Sequence, residues 1–219
     1  MKNLTLVIPA KKEKESLPKV IDEIKNLDCK KKIILTPDDT ETINAIKNLN
    51  VDIVYQNNHG YGDALIQGIK SVETEFFCIF NADGSFNPKE LKIMYELINS
   101  ADFVFGSRYM ENAGSEDDTI VTYIGNKIFT FIGNLFFSLN ISDILYTFVM
   151  GRTKKAQTLN LKEKDFCFCV ELPIKAKKSN LLMLTSPSNE RKRIAGKKKV
   201  NEFRDGFNIL ISMIKLFFK

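Results

Sequence analysis

The chain has 219 residues, of which 44% are hydrophobic and 27% charged, with a formal net charge of +5. That length suits one compact α/β domain, or one domain with a short appendage, and the apolar share is ordinary for a globular protein with a full core. Cys29, Cys78, Cys167 and Cys169 form no C-x-x-C pair and no metal-binding spacing, which excludes a cysteine-based metal centre and reads as buried, reduced thiols.

In chain order, Leu4 to Pro9 is a mostly apolar strand ended by proline, followed by Leu17, Val20, Ile21 and Ile24 at helical spacing. Lys32 to Thr36 is a second strand, closed by Pro37-Asp38-Asp39, and Thr40 is expected to cap the helix carrying Ile43, Ile46 and Leu49. Val51 to Tyr55 is a third strand. A glycine-bearing loop, Asn57 to Gly62, leads into a helix around Ala64 to Ile69, and Glu75 to Phe80 is a fourth strand. A helix over Glu90 to Ile98 precedes the strand Asp102 to Phe105, which runs into Gly106-Ser107-Arg108-Tyr109. An acidic loop follows over Glu111 to Asp118.

Strands that are apolar on both faces and alternate with helices predict a mostly parallel sheet covered on two sides. Ligands of such sheets bind beyond the carboxyl ends of the strands, where Pro37-Asp38-Asp39 and Asn81-Ala82-Asp83 both fall. A carboxylate there, Asp83, is suited to hold a divalent cation against a diphosphate; a turn or helix cap explains the same residue types.

Two later segments are amphipathic. From Asn126 to Leu139 the polar residues Asn126, Thr130, Asn134 and Ser138 form a stripe four apart, which fits a core helix or an acceptor-side membrane helix equally. From Phe203 to Lys219 a stripe of Arg204, Asn208, Ser212, Lys215 and Lys219 opposes a broad Phe and Ile face. The stretch 203–219 either packs on the domain or lies in a membrane interface, and its flanking lysines favour the interface. The expected division is a domain over 1–200 and an amphipathic C-terminal helix over 201–219. No signal peptide precedes the first strand and no uninterrupted apolar stretch is long enough to span a bilayer, so the expected location is the cytosol, at the membrane face. The basic runs Lys30-Lys31-Lys32 and Arg191 to Lys199 lack interleaved aromatics, which disfavours nucleic acid as a partner.

The ordered set Val7 to Leu17, Gly60 to Ile69, Asn81-Ala82-Asp83 with Asn87 to Glu90, Gly106 to Tyr109, Asp143 with Phe148 and Arg152, and Arg193 to Lys199 resembles the family 2 glycosyltransferases. Within them it is most similar to the dolichyl- and polyprenyl-phosphate sugar transferases, over nearly the whole chain. The resemblance implies a glycosyltransferase A-type, Rossmann-like fold and a metal-dependent, inverting hexose transfer. The donor would be a nucleotide-diphosphate sugar, and the acceptor a lipid phosphate, such as polyprenyl phosphate, or a surface glycan.

Carried across by position, Pro9, Ala10 and Glu13 match the first nucleotide-contacting turn, and Asp38 or Asp39 the base-binding acid. Gly60 and Gly62 match the glycines before the third helix. Asn81, Ala82 and Asp83 match the metal signature, with Asp83 as its second acid and Asn81 in place of the first, for Mg²⁺ or Mn²⁺. Arg108, Arg193 and Lys199 match basic positions expected to bind phosphate, and Glu171 and Pro173 a structural Glu-x-Pro strand. With a phosphate acceptor no general base is needed, and catalysis rests on positioning and charge stabilisation. Asn81, and Ser85 where that branch usually has glutamine, motivate a second reading as a weakly active or scaffold relative. A sugar nucleotidyltransferase is a third, disfavoured because the opening strand lacks a glycine-rich Arg-Lys loop.

Overall fold

The structure is a computed structural model describing residues 1–196 and 198–218; Lys197 and Lys219, which belong to two of the stretches above, lie outside the described residues. A seven-stranded sheet has the order β3-β2-β1-β4-β7-β5-β8. Its strands are β1 (Leu4–Pro9), β2 (Lys30–Leu35), β3 (Asp52–Tyr55), β4 (Phe76–Ile79), β5 (Phe103–Ser107), β7 (Val149–Arg152) and β8 (Met183–Pro187). A two-residue strand, β6 (Gly114–Ser115), pairs in parallel with β9 (Asn189–Glu190) beside it.

The first four strands run parallel as expected. β7 enters antiparallel between β4 and β5, with Phe77 opposite Gly151 and Phe103 opposite the same glycine. Gly151 is required there: a Cβ would stand 2.6 Å from the Phe103 ring and 2.7 Å from the Phe77 ring.

Alternation along β1 sends Val7 to one face and Leu4, Leu6 and Ile8 to the other, so each face carries its own core. Helices α1 (Leu17–Glu23), α2 (Thr40–Ile46) and α4 (Leu91–Leu97) cover the second face. Helices α3 (Tyr61–Ser71), α6 (Thr153–Thr158), α7 (Phe168–Lys178) and α8 (Glu202–Phe217) cover the first.

Several local expectations are corrected. Thr40 is the first residue of α2, and the cap is Asp39, whose carboxylate accepts the Thr42 N–H at 3.4 Å. Glu171 and Pro173 lie inside α7 rather than on a strand. The buried Glu171 carboxylate accepts the N–H groups of Lys162 and Glu163 at 2.8–2.9 Å and pairs with Lys175 at 2.7 Å. This docks the 161–165 segment on the helix.

The stripe at 126–139 belongs to a longer helix, α5 (Ile120–Phe137), opened by a reciprocal Thr119–Thr122 capping box and ended by Ser138 at φ 53°. At 18 residues it is long and apolar enough to cross a membrane, a span the sequence reading missed because it started the helix six residues late. Its polar stripe faces the domain. Asn134 exchanges hydrogen bonds with Ile141, Thr130 accepts the Ile144 N–H, and Asn126 donates to Asp143. The apolar side faces outward, with Ile120 79% and Phe131 65% exposed.

α8 packs beside α5 and α7 and is likewise apolar outside. Ile209, Met213 and Leu216 enter the core, Ser212 of the expected polar stripe is buried, and Phe203, Phe207, Phe217 and Phe218 are exposed.

Candidate active site

A cavity of about 810 Å³ opens at the carboxyl edge of the sheet. Pro9, Ala10 and Glu13 line it from the end of β1, and Asn81, Ala82 and Asp83 from the end of β4. Arg108, Arg193 and Lys199 also reach it, so the structure brings most of the expected site residues together.

Asp83 opens a tight turn. Its Oδ1 accepts the Ser85 N–H at 3.0 Å and Gly84 takes φ 84°, the left-handed conformation for which glycine is suited. The Asp83 carbonyl accepts the Ile194 N–H at 2.7 Å. Asn81 donates from Nδ2 to Ser85 Oγ at 3.4 Å and accepts from the Tyr61 hydroxyl at 3.4 Å. The two departures from the family pattern, Asn81 and Ser85, therefore touch each other. Tyr61 shares a 2.6 Å hydrogen bond with Thr147, and burial holds its phenol well above the usual range, so the hydroxyl stays protonated.

The donor set suits a hard divalent cation. Asp83 and Asn81 line the cavity and would offer a carboxylate and an amide oxygen to a cation, and Arg193 Nη1 approaches Asp83 Oδ2 only to 3.5 Å, longer than a charge-assisted hydrogen bond. One carboxylate and one amide leave most of the coordination to a ligand's phosphates. Another cluster, Glu163, Asp165 and Cys167, is a poorer set: burial, with Asp165 beside it, pushes the Cys167 thiol up, and Asp165 already accepts the Cys167 N–H at 2.8 Å.

The basic positions behave differently from one another. Arg193 donates from Nη2 to Asp117 at 2.7 Å, and Lys199 Nζ binds Glu13 and the Lys11 carbonyl. Both remain partly open to the cavity. Arg108 lines the cavity but is already paired with protein groups. Its Nε and Nη2 hold both oxygens of Asp143 at 2.8 and 3.0 Å, its Nη1 meets Glu190 at 3.1 Å, and its guanidinium lies 4.6 Å from the Tyr146 ring centroid. Burial alone would lower its pKa, but Asp143 and Glu190 hold it well above its ordinary value. The guanidinium is committed to two carboxylates and one aromatic face, so Arg108 braces the cavity wall.

Other expected residues fall outside the lining. Asp39 is turned to the α2 cap and to the Lys12 N–H at 2.6 Å. Asp38 is solvent-exposed, its carboxyl lowered by the Thr36 hydroxyl. Gly62 packs against the chain at 163–165, where a Cβ would stand 2.2 Å from the Glu163 carbonyl. Gly60, at φ 130°, lines the cavity and meets the Lys164 carbonyl in the same way.

The sequence reading missed Asp117, Asp118, Tyr61, Thr147 and Glu190. Asp117 and Asp118 were visible only as part of an acidic loop, and Asp118 is anchored by Tyr109 at 2.5 Å and by Thr122. No spacing signals Tyr61 with Thr147, because the fold alone joins them.

A mostly parallel α/β sheet covered on both faces, with a cavity lined by acids and bases at its carboxyl edge, belongs to the class of folds that bind ligands at that edge. The chain belongs to glycosyl transferase family 2, whose family model matches residues 5–159. Uncharacterized glycosyltransferases of Mycobacterium bovis and Mycobacterium tuberculosis are 32% identical over 109 residues. Those matches cover 48% of this chain and 48% of each relative, about half their length. The fold is the glycosyltransferase A type. It superposes on glucosyl-3-phosphoglycerate synthase from Mycobacterium tuberculosis in complex with Mn²⁺, UDP and glucosyl-3-phosphoglycerate, with TM-score 0.77, 12% identity and coverage of 97% of this chain and 79% of that one. The same enzyme in complex with Mn²⁺, UDP-glucose and phosphoglyceric acid gives TM-score 0.76 at 11% identity, covering 98% and 79%.

Proposed function

We propose that this chain transfers a sugar from a nucleotide-diphosphate sugar to a phosphate-bearing acceptor, with Mg²⁺ or Mn²⁺ held at Asp83. The observation that carries the reading is that Asp83 and Asn81 border the same cavity as Arg193 and Lys199. The printed ligands of the synthase, Mn²⁺ with UDP-glucose and phosphoglyceric acid, support the same class of donor, metal and acceptor.

In this reading Asp83 holds the cation and Asn81 adds a neutral oxygen. The cation, when bound, supplies charge neutralisation at the departing diphosphate. Arg193 and Lys199 orient the phosphates, Arg as a fork and Lys as a point charge. Pro9, Ala10 and Glu13 bound the nucleoside side of the cavity. Where the attacking atom is a phosphate oxygen, as in a lipid phosphate, it is anionic at neutral pH and needs no base, so an inverting single displacement rests on alignment.

The acceptor we favour is a lipid phosphate reached from the cytosolic face of a membrane. The cavity's far wall is made by Thr122 and Asn126 of α5 and by Arg204 and Asn208 of α8, the two helices whose outer sides are apolar. Arg204 is largely exposed between Phe203 and Phe207, a cation suited to headgroups. Flotation with anionic liposomes tests this: the chain floats, and a variant carrying Phe131→Ser, Phe203→Ser and Phe207→Ser does not. A wild type that does not float would remove the membrane from the proposal, and a triple variant that still floats would remove the apolar faces of α5 and α8 as the contact.

The central test is calorimetry with a panel of nucleoside diphosphates with and without Mn²⁺. Metal-dependent binding of one of them, lost in Asp83→Ala, is expected, and no binding to any overturns the reading. The second reading, a donor-binding relative without turnover, is motivated by Asn81 in place of an acid. Release of sugar from the preferred donor at any measurable rate excludes it. Family membership leaves the sugar nucleotidyltransferase without support.

A further inference from the structure

We propose that Arg193 is the internal counter-ion of Asp83, so that a cation binds Asp83 well only when a diphosphate draws the arginine away. This rests on the donor and metal reading above and assigns Arg193 a role beyond binding phosphate.

The segment carrying Arg193 is fixed to the Asp83 turn itself. Ile194 N–H donates to the Asp83 carbonyl at 2.7 Å, and Arg191 N–H donates to the Ser85 carbonyl at 2.8 Å. The Ile194 side chain lies over Gly84 so closely that a Cβ there would be 2.5 Å from it. Backbone and apolar contacts thus hold the strap in register with Asp83 whatever its charged tips do.

The guanidinium itself is held differently. It bridges Asp117 at 2.7 Å and Asp83 at 3.5 Å, and its side chain is 22% exposed. Both partners are single carboxylates, which a diphosphate can replace with a bidentate match to the Arg fork.

A divalent cation arriving alone at Asp83 Oδ2 meets the positive charge of Arg193 across the same oxygen. It must displace the guanidinium or bind against it, and both weaken its hold. A diphosphate reverses the balance, because its oxygens take Arg193 and bridge the cation at once. Cation and nucleotide then favour each other through one side chain, and the coupling is reciprocal. A simple phosphate-binding arginine predicts otherwise, since its removal would leave the affinity for the cation alone unchanged.

The test uses the full chain, with free Mn²⁺ followed by electron paramagnetic resonance, and with calorimetry for the nucleoside diphosphate that the wild type prefers. Each is measured alone and with the other present. In the wild type, Mn²⁺ and the nucleotide should strengthen each other by about tenfold or more. Arg193→Gln should bind Mn²⁺ alone several-fold tighter, bind the nucleotide alone more weakly, and lose most of the coupling. Arg193→Lys keeps the charge and should leave Mn²⁺ alone nearly as weak as in the wild type. The proposal is overturned if Arg193→Gln binds Mn²⁺ alone no better than the wild type, or if Arg193→Lys binds it as tightly as Arg193→Gln. Absence of any nucleotide binding by the wild type with Mn²⁺ would instead overturn the transferase reading, while the Mn²⁺-only comparison would still decide this one.

Discussion

Arg108 grips Asp143 at three points. Its Nε and Nη2 reach the two carboxylate oxygens at 2.8 and 3.0 Å, and its own backbone N–H donates to the same carboxylate at 3.1 Å. The Asp143 side chain is 0% exposed and that of Arg108 11%. Asn126 adds a further donor to Asp143, so the carboxylate ties α5 to the end of β5.

Removing one member of such a buried pair leaves an uncompensated charge. Asp143→Ala should lower the unfolding free energy by about 3–5 kcal/mol in a urea titration. Because Glu190 still holds Arg108 at 3.1 Å, the lower part of that range is expected. Arg108→Lys should also destabilise, since a point charge cannot reproduce the bidentate grip. The folded Arg108→Lys protein should keep nucleoside diphosphate affinity close to that of the wild type. A large loss of affinity without loss of stability would return Arg108 to the phosphate-binding set.

The polarity of α5 gives a prediction opposite to that for an ordinary surface helix. Asn126→Leu makes the helix more apolar, yet it strips hydrogen bonds from Asp143 and from the Leu145 N–H. It should destabilise by about 1–3 kcal/mol through those buried groups. Ile124→Ser and Phe131→Ser, on the exposed side, should each stay within about 0.5 kcal/mol of the wild type. Thermal denaturation in aqueous buffer checks all three, and equal costs on the two faces would mean the helix packs with its apolar side inward.

The contrast between the two ends of the site explains what the sequence could say. β1, β4 and the Asn81 to Asp83 turn are local patterns: apolar runs ended by proline or by an Asp-Gly turn. β7 carries no such signal, because Val149 to Arg152 is short and its antiparallel place depends on Phe77 and Phe103 leaving room for Gly151. The spacing of Asn126, Thr130 and Asn134 was legible, but its side was not, since Asp143, Ile144 and Ile141 supply the partners from the following loop. Arg108 was legible as a cation and illegible as a brace, for Asp143 and Glu190 reach it from distant parts of the chain. Pro173 misled, since a proline was read as belonging to a strand and lies within α7.

Two carboxyls tilt the acid stability in opposite directions. Burial raises Glu90 above the usual carboxylate range, against hydrogen bonds from Asn189 and Ser188. The folded state therefore holds a proton that the unfolded state releases, and stability falls as pH rises from the ordinary value through the raised one. Asp118 is desolvated too, but Thr122, Tyr109 and Arg108 lower it overall. Its contribution is full above the ordinary carboxylate value and is lost as pH falls through the lowered one. Relative to the wild type, Glu90→Gln should gain stability above the raised value, and the difference should shrink on acidification. Asp118→Asn should flatten the loss of stability at the acid end. Denaturation midpoints across pH 3–8 measure both, and a Glu90→Gln difference independent of pH would refute the first.

The thiols should be inert despite one of them lining the cavity. Burial pushes Cys169 up to about 12, and it raises Cys78 and Cys167 as well. Cys29 is only half-buried, and its thiol is raised by burial against the pull of Lys31. The nucleophile in alkylation or disulfide exchange is the thiolate, so at pH 8 a thiol near 12 offers roughly one reactive molecule in ten thousand. Access through the cavity cannot make up that deficit for Cys169. With an aromatic disulfide reagent at pH 8, the folded protein should release colour slowly and from Cys29 first, as peptide mapping would identify. Denaturant should then expose all four cysteines at once. Fast labelling of Cys169 in the folded protein would mean that the Tyr61 wall of the cavity opens far more often than its stacking on Phe166 at 5.3 Å implies.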